Sequence, residues 1–328
     1  HNEETIAAYR ELVPMFEKMT ELAAILRKKR MKRGSINFDF PETKVILDKN
    51  GNPVDIRPYD RNVATKLIED FMLAANETVA AEYYWRELPF VYRTHEQPDS
   101  EKIQKLSTFI NNFGYSLHIG SDEVHPKELQ KLLEKIDGTS EEPLISRLTL
   151  RSMKQARYTV ENTGHFGLAA DCYCHFTSPI RRYPDLQIHR IIKGRLGEKR
   201  IGHYTQILPE VAKHASEMER RADEAERETI KLKKVQYMEN HIGETFAGVI
   251  SGVAEYGFFV ELENTVEGLV RVTSLTDDFY QYYEETYELV GEATNRRFKL
   301  GQQVRVTVDN CDRIMRTIDF TLADSDEN

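Results

Sequence analysis

The sequence is poor in cysteine and lacks long apolar runs. Its 328 residues include three cysteines, Cys172, Cys174 and Cys311. Three are too few for a disulfide framework, so the sequence predicts a protein of the reducing cytoplasm. No apolar run approaches the length of a membrane span, and no signal peptide is visible. We therefore expect no membrane partner.

Basic residues are outnumbered by acidic ones, 45 Lys and Arg against 54 Asp and Glu. The formal net charge is −9, which does not by itself suggest a nucleic-acid binder. Contact with a polyanion needs only a local basic lining, so the global charge leaves that function open. The length predicts two domains. Because the chain opens with His1 rather than methionine, we expect it to be a piece of a longer protein.

Several chemical signatures are absent from the sequence. There is no Ser-His-Asp order, no glycine loop that could cradle a phosphate and no internal repeat. Cys172, Cys174, His175 and His165 invite comparison with a zinc site, but the C-x-C spacing is wrong and no second ligand pair follows. We expect these cysteines to be buried apolar side chains instead.

Residues 164–193 form the most distinctive stretch. Its turn signal at residues 177–180 contains Pro179 and leads directly into Arg181 and Arg182. Asp185 is predicted to open a helix just beyond them. Guanidinium groups beside a helix N-terminus suit a phosphodiester, but the same two arginines could pair with acidic neighbours and pin the loop. The chemistry alone leaves both interpretations open.

The amino-acid sequence of this stretch resembles that of a known family. HFTSPIRRYPDL, preceded by MKQARYT and HFGLA, is similar to the signature of the RNB exoribonucleases, the ribonuclease II and R family. The resemblance implies part of a magnesium-dependent, processive 3′-to-5′ exoribonuclease. Such an enzyme hydrolyses single-stranded RNA to nucleoside 5′-monophosphates.

The resemblance also implies roles for individual residues. Arg181 would steady the scissile phosphate, Glu226 and Glu69 would position water or RNA, and Phe38 would pack against the terminal bases. Arg182 and Tyr183 would be supporting RNA-binding residues. By pattern alone, Phe38 would be a core residue and the two glutamates would be solvated.

Hydrophobic spacing predicts the helices. One covers residues 4–31, with Pro14 kinking it or starting its second half, and another runs from Val63 to Trp85. Asp99 is predicted to cap a third. A long helix from about residue 208 to 240 has an alanine-rich seam that we expect to pack against the protein body.

From residue 243 the sequence pattern predicts five short strands separated by Gly, Asn and Asp. Five such strands fit an OB-fold barrel. The ending VDNCDRIMRTIDFTL resembles RNA-binding domains of the ribosomal-protein type. Phe258 and Phe259 point to opposite faces, so one can pack inside while the other stacks on a base. Which one stacks stays open. The resemblance adds three arginines to the RNA-binding set: Arg271, Arg305 and Arg313.

The predicted fold is therefore α+β: residues 1–241 as the C-terminal part of an RNB catalytic domain and residues 243–328 as a five-stranded OB-fold. The family's magnesium ligands are clustered aspartates, and we expect them upstream of His1. The expected partners are single-stranded RNA and the missing N-terminal part of the same protein, in a monomer. The alternative is a non-catalytic RNA-binding fragment.

Overall fold

The structure, a computed structural model, describes residues 3–37, 42–59, 61–120, 123–139, 141–194, 198–284 and 286–323. A helix-rich part is followed by a closed β-barrel, which confirms the predicted α+β class. The described helices are α1 Glu3–Ala8, α2 Val13–Arg33, α3 Val63–Trp85, α4 Ser100–Asn111, α5 Pro126–Ile136, α6 Glu142–Ser152, α7 Tyr183–Lys193 and α8 Glu198–Met238.

The first predicted helix is divided into α1 and α2 by a turn. Pro14 lies in the first turn of α2, where a missing N–H costs little. Gly34 ends α2 with φ of +108°, a backbone conformation that a residue with a Cβ adopts only with strain. The predicted boundaries of α3 are confirmed, with Asn62 as its N-cap, and Asp99 caps α4 through the Glu101 and Lys102 amides.

The long helix α8 differs from its prediction in two ways. It begins at Glu198, ten residues early, and it includes Pro209. Its buried residues fall in two stretches, Tyr204 to Ser216 in the first half and Val235 to Met238 near the C-terminus. Residues 220–227 are exposed on every side, so the expected packing of the alanine seam is wrong for the middle of the helix.

Two small antiparallel sheets accompany the helices. The hairpin of β1 Thr43–Leu47 and β2 Pro53–Pro58 turns at residues 48–52, and β3 Tyr92–Thr94 pairs with β4 Arg157–Thr159. The β3–β4 pair lies beside α8, because the Tyr158 amide donates to Ser216 Oγ at 2.9 Å. This contact fixes α8 relative to the central motif.

The barrel closes in the order β11-β12-β7-β6-β5. Its strands are β5 Thr245–Ala254, β6 Gly257–Leu262, β7 Glu267–Arg271, β11 Gln303–Asp312 and β12 Thr317–Leu322. All pairs are antiparallel except β12 with β7. Gly268 is needed for closure, because a Cβ there would lie 2.5 Å from the Phe320 ring.

An additional three-stranded sheet, absent from the sequence expectations, is inserted between β7 and β11. It consists of β8 Tyr280–Tyr283, β9 Glu288–Gly291 and β10 Arg297–Lys299. Asp278 accepts hydrogen bonds from the Phe279, Ala293 and Thr294 amides and holds this insertion together.

The helical part and the barrel share one hydrophobic core. Ile56 of β2 and Val235 and Met238 of α8 are buried with the barrel residues. Arg147 of α6 adds a polar link, donating from Nη1 to the Ser251 carbonyl at 2.8 Å. No helix in the described ranges is both long enough and apolar enough to cross a bilayer.

Candidate functional site

The central motif forms a tight loop at residues 177–182 followed by α7. The Ser178 carbonyl accepts the backbone N–H groups of Arg181 at 3.3 Å and Arg182 at 3.0 Å. Asp185 does not open the helix as predicted. Helix α7 begins at Tyr183, so Asp185 lies in its first turn and accepts the Ser178 N–H through Oδ1 at 2.8 Å. These hydrogen bonds therefore hold both ends of the loop.

The two arginines of the loop have different environments. Arg182 donates from Nη2 to Asp185 Oδ1 at 2.7 Å, and its side chain is 17% exposed. Arg181 is exposed, and its side chain has no hydrogen bond or ion pair with any described residue. The pinning interpretation thus applies to Arg182, whereas the Arg181 guanidinium is available to an external anion. Tyr183 is half exposed, and its hydroxyl accepts from Gln187 Nε2 at 2.5 Å.

A partly buried polar network lies behind this loop. His175 Nδ1 is 2.8 Å from the Tyr158 hydroxyl, which also reaches Glu219 Oε1 of α8 at 3.4 Å. Arg93 stacks over the Tyr158 ring and donates to Glu219 at 2.5 Å. Burial, followed by the positive charges of Arg182 and Arg93, lowers the pKa of His175 to about 2, so its ring is neutral.

The acidic pair of α3 has a buried and an exposed member. Glu69, the predicted site residue, forms an ion pair with Arg61, and its side chain is 43% exposed. Its neighbour Asp70 is 1% exposed and binds both Arg27, at 2.6 Å, and Arg30, at 2.9 Å. Sequence reasoning missed Asp70. It lies three residues after Leu67, on the apolar face of α3, opposite the basic C-terminal part of α2.

Glu226 lies in the exposed middle of α8. It has no hydrogen bond or ion pair with the described part of the chain. Two residues further on, Glu228 is bound by Arg316 of the barrel and by Lys231 at 3.3 Å. The exposed carboxylate of Glu226 is therefore on a helix segment that is anchored beside it.

The two phenylalanines of the barrel differ in burial. Phe258 is 0% exposed and stacks on Phe298 at 4.7 Å inside the barrel, so it cannot stack on a base. Phe259 is partly exposed on the outer face, with exposed Tyr256 edge-on to it at 6.2 Å. Gly252 lies beneath this ring, since a Cβ there would be 3.3 Å from it. Tyr256 was missed, although its place in the β5–β6 turn could have indicated it.

The three barrel arginines have different surroundings. Arg271 pairs with Asp319 at 3.0 Å near the outer aromatic face. Arg313 is held by both carboxylate oxygens of Glu239. Arg305 is exposed and lines a cavity of about 1030 Å³ between the barrel and helices α5 and α6. Of the three, Arg271 lies nearest the exposed aromatic residues.

Comparison with known proteins gives the family. Residues 2–198, more than half of the chain, match the RNB domain, and residues 239–322 match the S1 RNA binding domain. The chain belongs to the RNB family. The resemblance inferred from the central motif is confirmed, and so is the RNA-binding type of the barrel.

Relatives within the RNB family are named ribonuclease R. Ribonuclease R 1 of Lactococcus lactis is 43% identical over 323 residues, covering 97% of this chain and 40% of the relative. Ribonuclease R of Aquifex aeolicus is 46% identical over 314 residues, covering 95% and 44%. RNase R of Mycoplasma genitalium, solved with ribose methylated single-stranded RNA, has a TM-score of 0.87 at 28% identity, covering 95% and 50%. The chain thus spans less than half the length of these curated relatives.

The predicted RNB site residues are not joined into one contact network. Within the described ranges, no hydrogen bond or ion pair connects Arg181, Glu69 and Glu226 with one another. Phe38 lies outside the described residues. In the same ranges, no group of three or more His, Cys, Asp or Glu side chains could hold a metal ion. Cys172 and Cys174 are buried free thiols, as expected.

Proposed function

We propose that this chain is the C-terminal part of an exoribonuclease that degrades single-stranded RNA processively from its 3′ end to nucleoside 5′-monophosphates. The observation that carries the proposal is the exposed guanidinium of Arg181, which has no hydrogen bond or ion pair with any described residue and lies on a loop fixed by hydrogen bonds. A guanidinium offers a planar fork of donors that matches two phosphate oxygens. Membership of the RNB family supports the assignment.

We assign roles to the predicted residues on this basis. Arg181 steadies the scissile phosphate, Glu226 and Glu69 position water or RNA, and Phe38 packs on the terminal bases. On the barrel, Phe259 stacks on a base and Arg271 contacts phosphate. The exposed aromatic pair beside a basic side chain supports this, since stacking with nearby cations is how OB-folds bind single strands.

The proposed reaction uses magnesium, which would stabilise the charge that develops on the phosphate. The described residues do not fit such an ion, because they offer no cluster of ligands. We therefore assign the magnesium ligands to carboxylates upstream of His1 in a longer, cytoplasmic, monomeric protein. The alternative function is RNA binding without catalysis, and it is favoured by the same lack of a ligand cluster in the described part.

RNA binding by the chain is testable directly. Fluorescence anisotropy with a labelled single-stranded RNA should show affinity that falls linearly with the logarithm of salt concentration, because arginine and lysine contact phosphates. A duplex DNA of equal length is the control, and it should bind more weakly. A flat salt response, or a preference for the duplex, would contradict the proposed RNA surface.

Catalysis needs a separate assay. The chain alone, with magnesium and a 5′-labelled RNA, should leave the RNA intact on a gel, because the described residues lack a metal site. Progressive shortening to a small limit product would show that the ligands lie within the chain. An intact homologous ribonuclease R serves as the positive control.

A further inference from the structure

The loop that presents Arg181 depends on one carboxylate. Asp185 is 0% exposed, and its Oδ1 accepts both the Ser178 N–H at 2.8 Å and the Arg182 Nη2 at 2.7 Å. The first bond ties helix α7 to the start of the loop, and the second ties it to the end. Arg181 lies between these two anchored positions, next to fully exposed Ile180.

The environment of Asp185 contains polar atoms that lower the stability of the folded chain. Its second oxygen, Oδ2, is buried without a hydrogen-bond partner among the described residues, and so is Nε of Arg182. Each unsatisfied buried group lowers the stability of the fold. A buried ion pair with spare hydrogen-bonding atoms is weak evidence for a stabilising role, since apolar side chains often serve as well.

We propose that Asp185 is a positioning residue for RNA. It holds the 177–182 loop in the conformation that directs the Arg181 guanidinium outward, and it acts on RNA only through Arg181. The inference rests on the proposed function, in which Arg181 contacts an RNA phosphate. Arg182 has no direct RNA contact in this arrangement, because its side chain is only 17% exposed and is already bound by buried Asp185.

The sign of the effect distinguishes positioning from general electrostatics. Asp185→Asn removes a negative charge from a chain of net charge −9, so long-range attraction alone would tighten RNA binding. Positioning requires the opposite, because the loop loses its anchor. Asp99→Asn is the matched control: it removes the same charge at an exposed N-cap, where asparagine caps equally well.

A double-mutant cycle isolates the coupling to Arg181. The affinity of the chain for single-stranded RNA and its melting temperature are measured for Arg181→Ala, Asp185→Asn and the double variant. We expect Arg181→Ala to weaken binding roughly tenfold, as for one charge-assisted hydrogen bond. Asp185→Asn should weaken it by about threefold or more, and the double variant should bind like Arg181→Ala. The melting temperature should fall with Asp185→Asn in both backgrounds.

Other outcomes overturn the inference. Unchanged or tighter binding by Asp185→Asn, or additive losses in the double variant, would show that Asp185 does not act through Arg181. If Arg181→Ala binds normally while the chain still binds RNA, the positioning role fails but RNA binding stands. No RNA binding by the unmodified chain would instead refute the proposed function, and the positioning role with it.

A second variant and a second measurement cover the case in which Asp185→Asn does not fold. Asp185→Glu keeps the charge and displaces it by one methylene, so the same coupled loss of affinity is expected. Hydrogen exchange in the unmodified chain should show the Ser178 amide protected by its bond to Asp185. Exchange there at the rate of an unstructured peptide would overturn the anchoring step itself.

Discussion

Acidification should destabilise the folded chain through two partly buried histidines. Burial is the main cause that lowers the pKa of His175 to about 2 and that of His165 to about 3. The neighbouring groups that lower the pKa of His175 further are Arg182, Arg93, His165 and Arg181, and those that lower the pKa of His165 further are His95 and Arg93. A proton on either ring would therefore be repelled as well as desolvated.

The sign follows from proton uptake. In the unfolded chain both rings bind a proton as the pH falls through about 6.5, whereas the folded rings remain neutral until about 3 or 2. Their contribution to stability is thus complete above about 6.5 and is lost below it. Between pH 7.5 and 5.5 each ring should lower the free energy of unfolding by about 1.4 kcal/mol, or about 3 kcal/mol for the pair.

Urea unfolding at pH 7.5, 6.5 and 5.5 measures this loss. His175→Asn keeps an acceptor for the Tyr158 hydroxyl but does not titrate, so it should lose about 1.4 kcal/mol less than the unmodified chain over that range. His214→Asn, at an exposed site on α8, should leave the pH dependence unchanged. Equal pH dependence for all three proteins would refute the assignment of a neutral His175 in the folded chain.

Two matched pairs of variants test the burial assignments. Asp70→Asn should lower the free energy of unfolding by roughly 3–5 kcal/mol, because its two arginine partners lose their buried counter-charge, whereas exposed Glu69→Gln should cost less than about 1 kcal/mol in the same urea titration. Phe258→Ala should cost about 3–5 kcal/mol of stability. Phe259→Ala should instead cost about 1–3 kcal/mol of RNA affinity in anisotropy, and a reversed pattern would contradict their placement on the barrel.

The elements that sequence reasoning placed well are those set by local chemistry. Helix α3 begins at a capping asparagine and has a continuous apolar stripe, so its bounds follow from spacing and cap alone. The five barrel strands alternate inward and outward, and glycine marks the closest approaches, as Gly268 does against Phe320. The inserted sheet at residues 280–299 was missed because aromatic and charged residues there give no clear alternation.

The candidate site was only partly predictable, because it depends on which partner each charge finds. Arg181 and Arg182 are identical in the sequence, and only the fold shows that one is bound by buried Asp185 while the other is exposed. Asp185 itself has the residue type of an N-cap. Arg182 occupies the N-cap position of α7 instead. Asp185 therefore lies in the first turn of the helix, where its carboxylate accepts the Ser178 N–H.

Helix α8 shows the same arrangement of bound and exposed charges over a longer distance. An alanine-rich seam is compatible with a helix that packs closely along its length and with a helix that connects two parts of the fold. Residue spacing alone does not distinguish these two cases. The fold anchors α8 at Ser216 on one side and through Glu228 and Arg316 on the other, leaving residues 220–227 exposed over about 12 Å. Glu226 lies within this rigid span just as Arg181 lies between its two loop anchors. In both places a bound charge holds the backbone, and a neighbouring exposed charge has no hydrogen bond or ion pair with the described part of the chain.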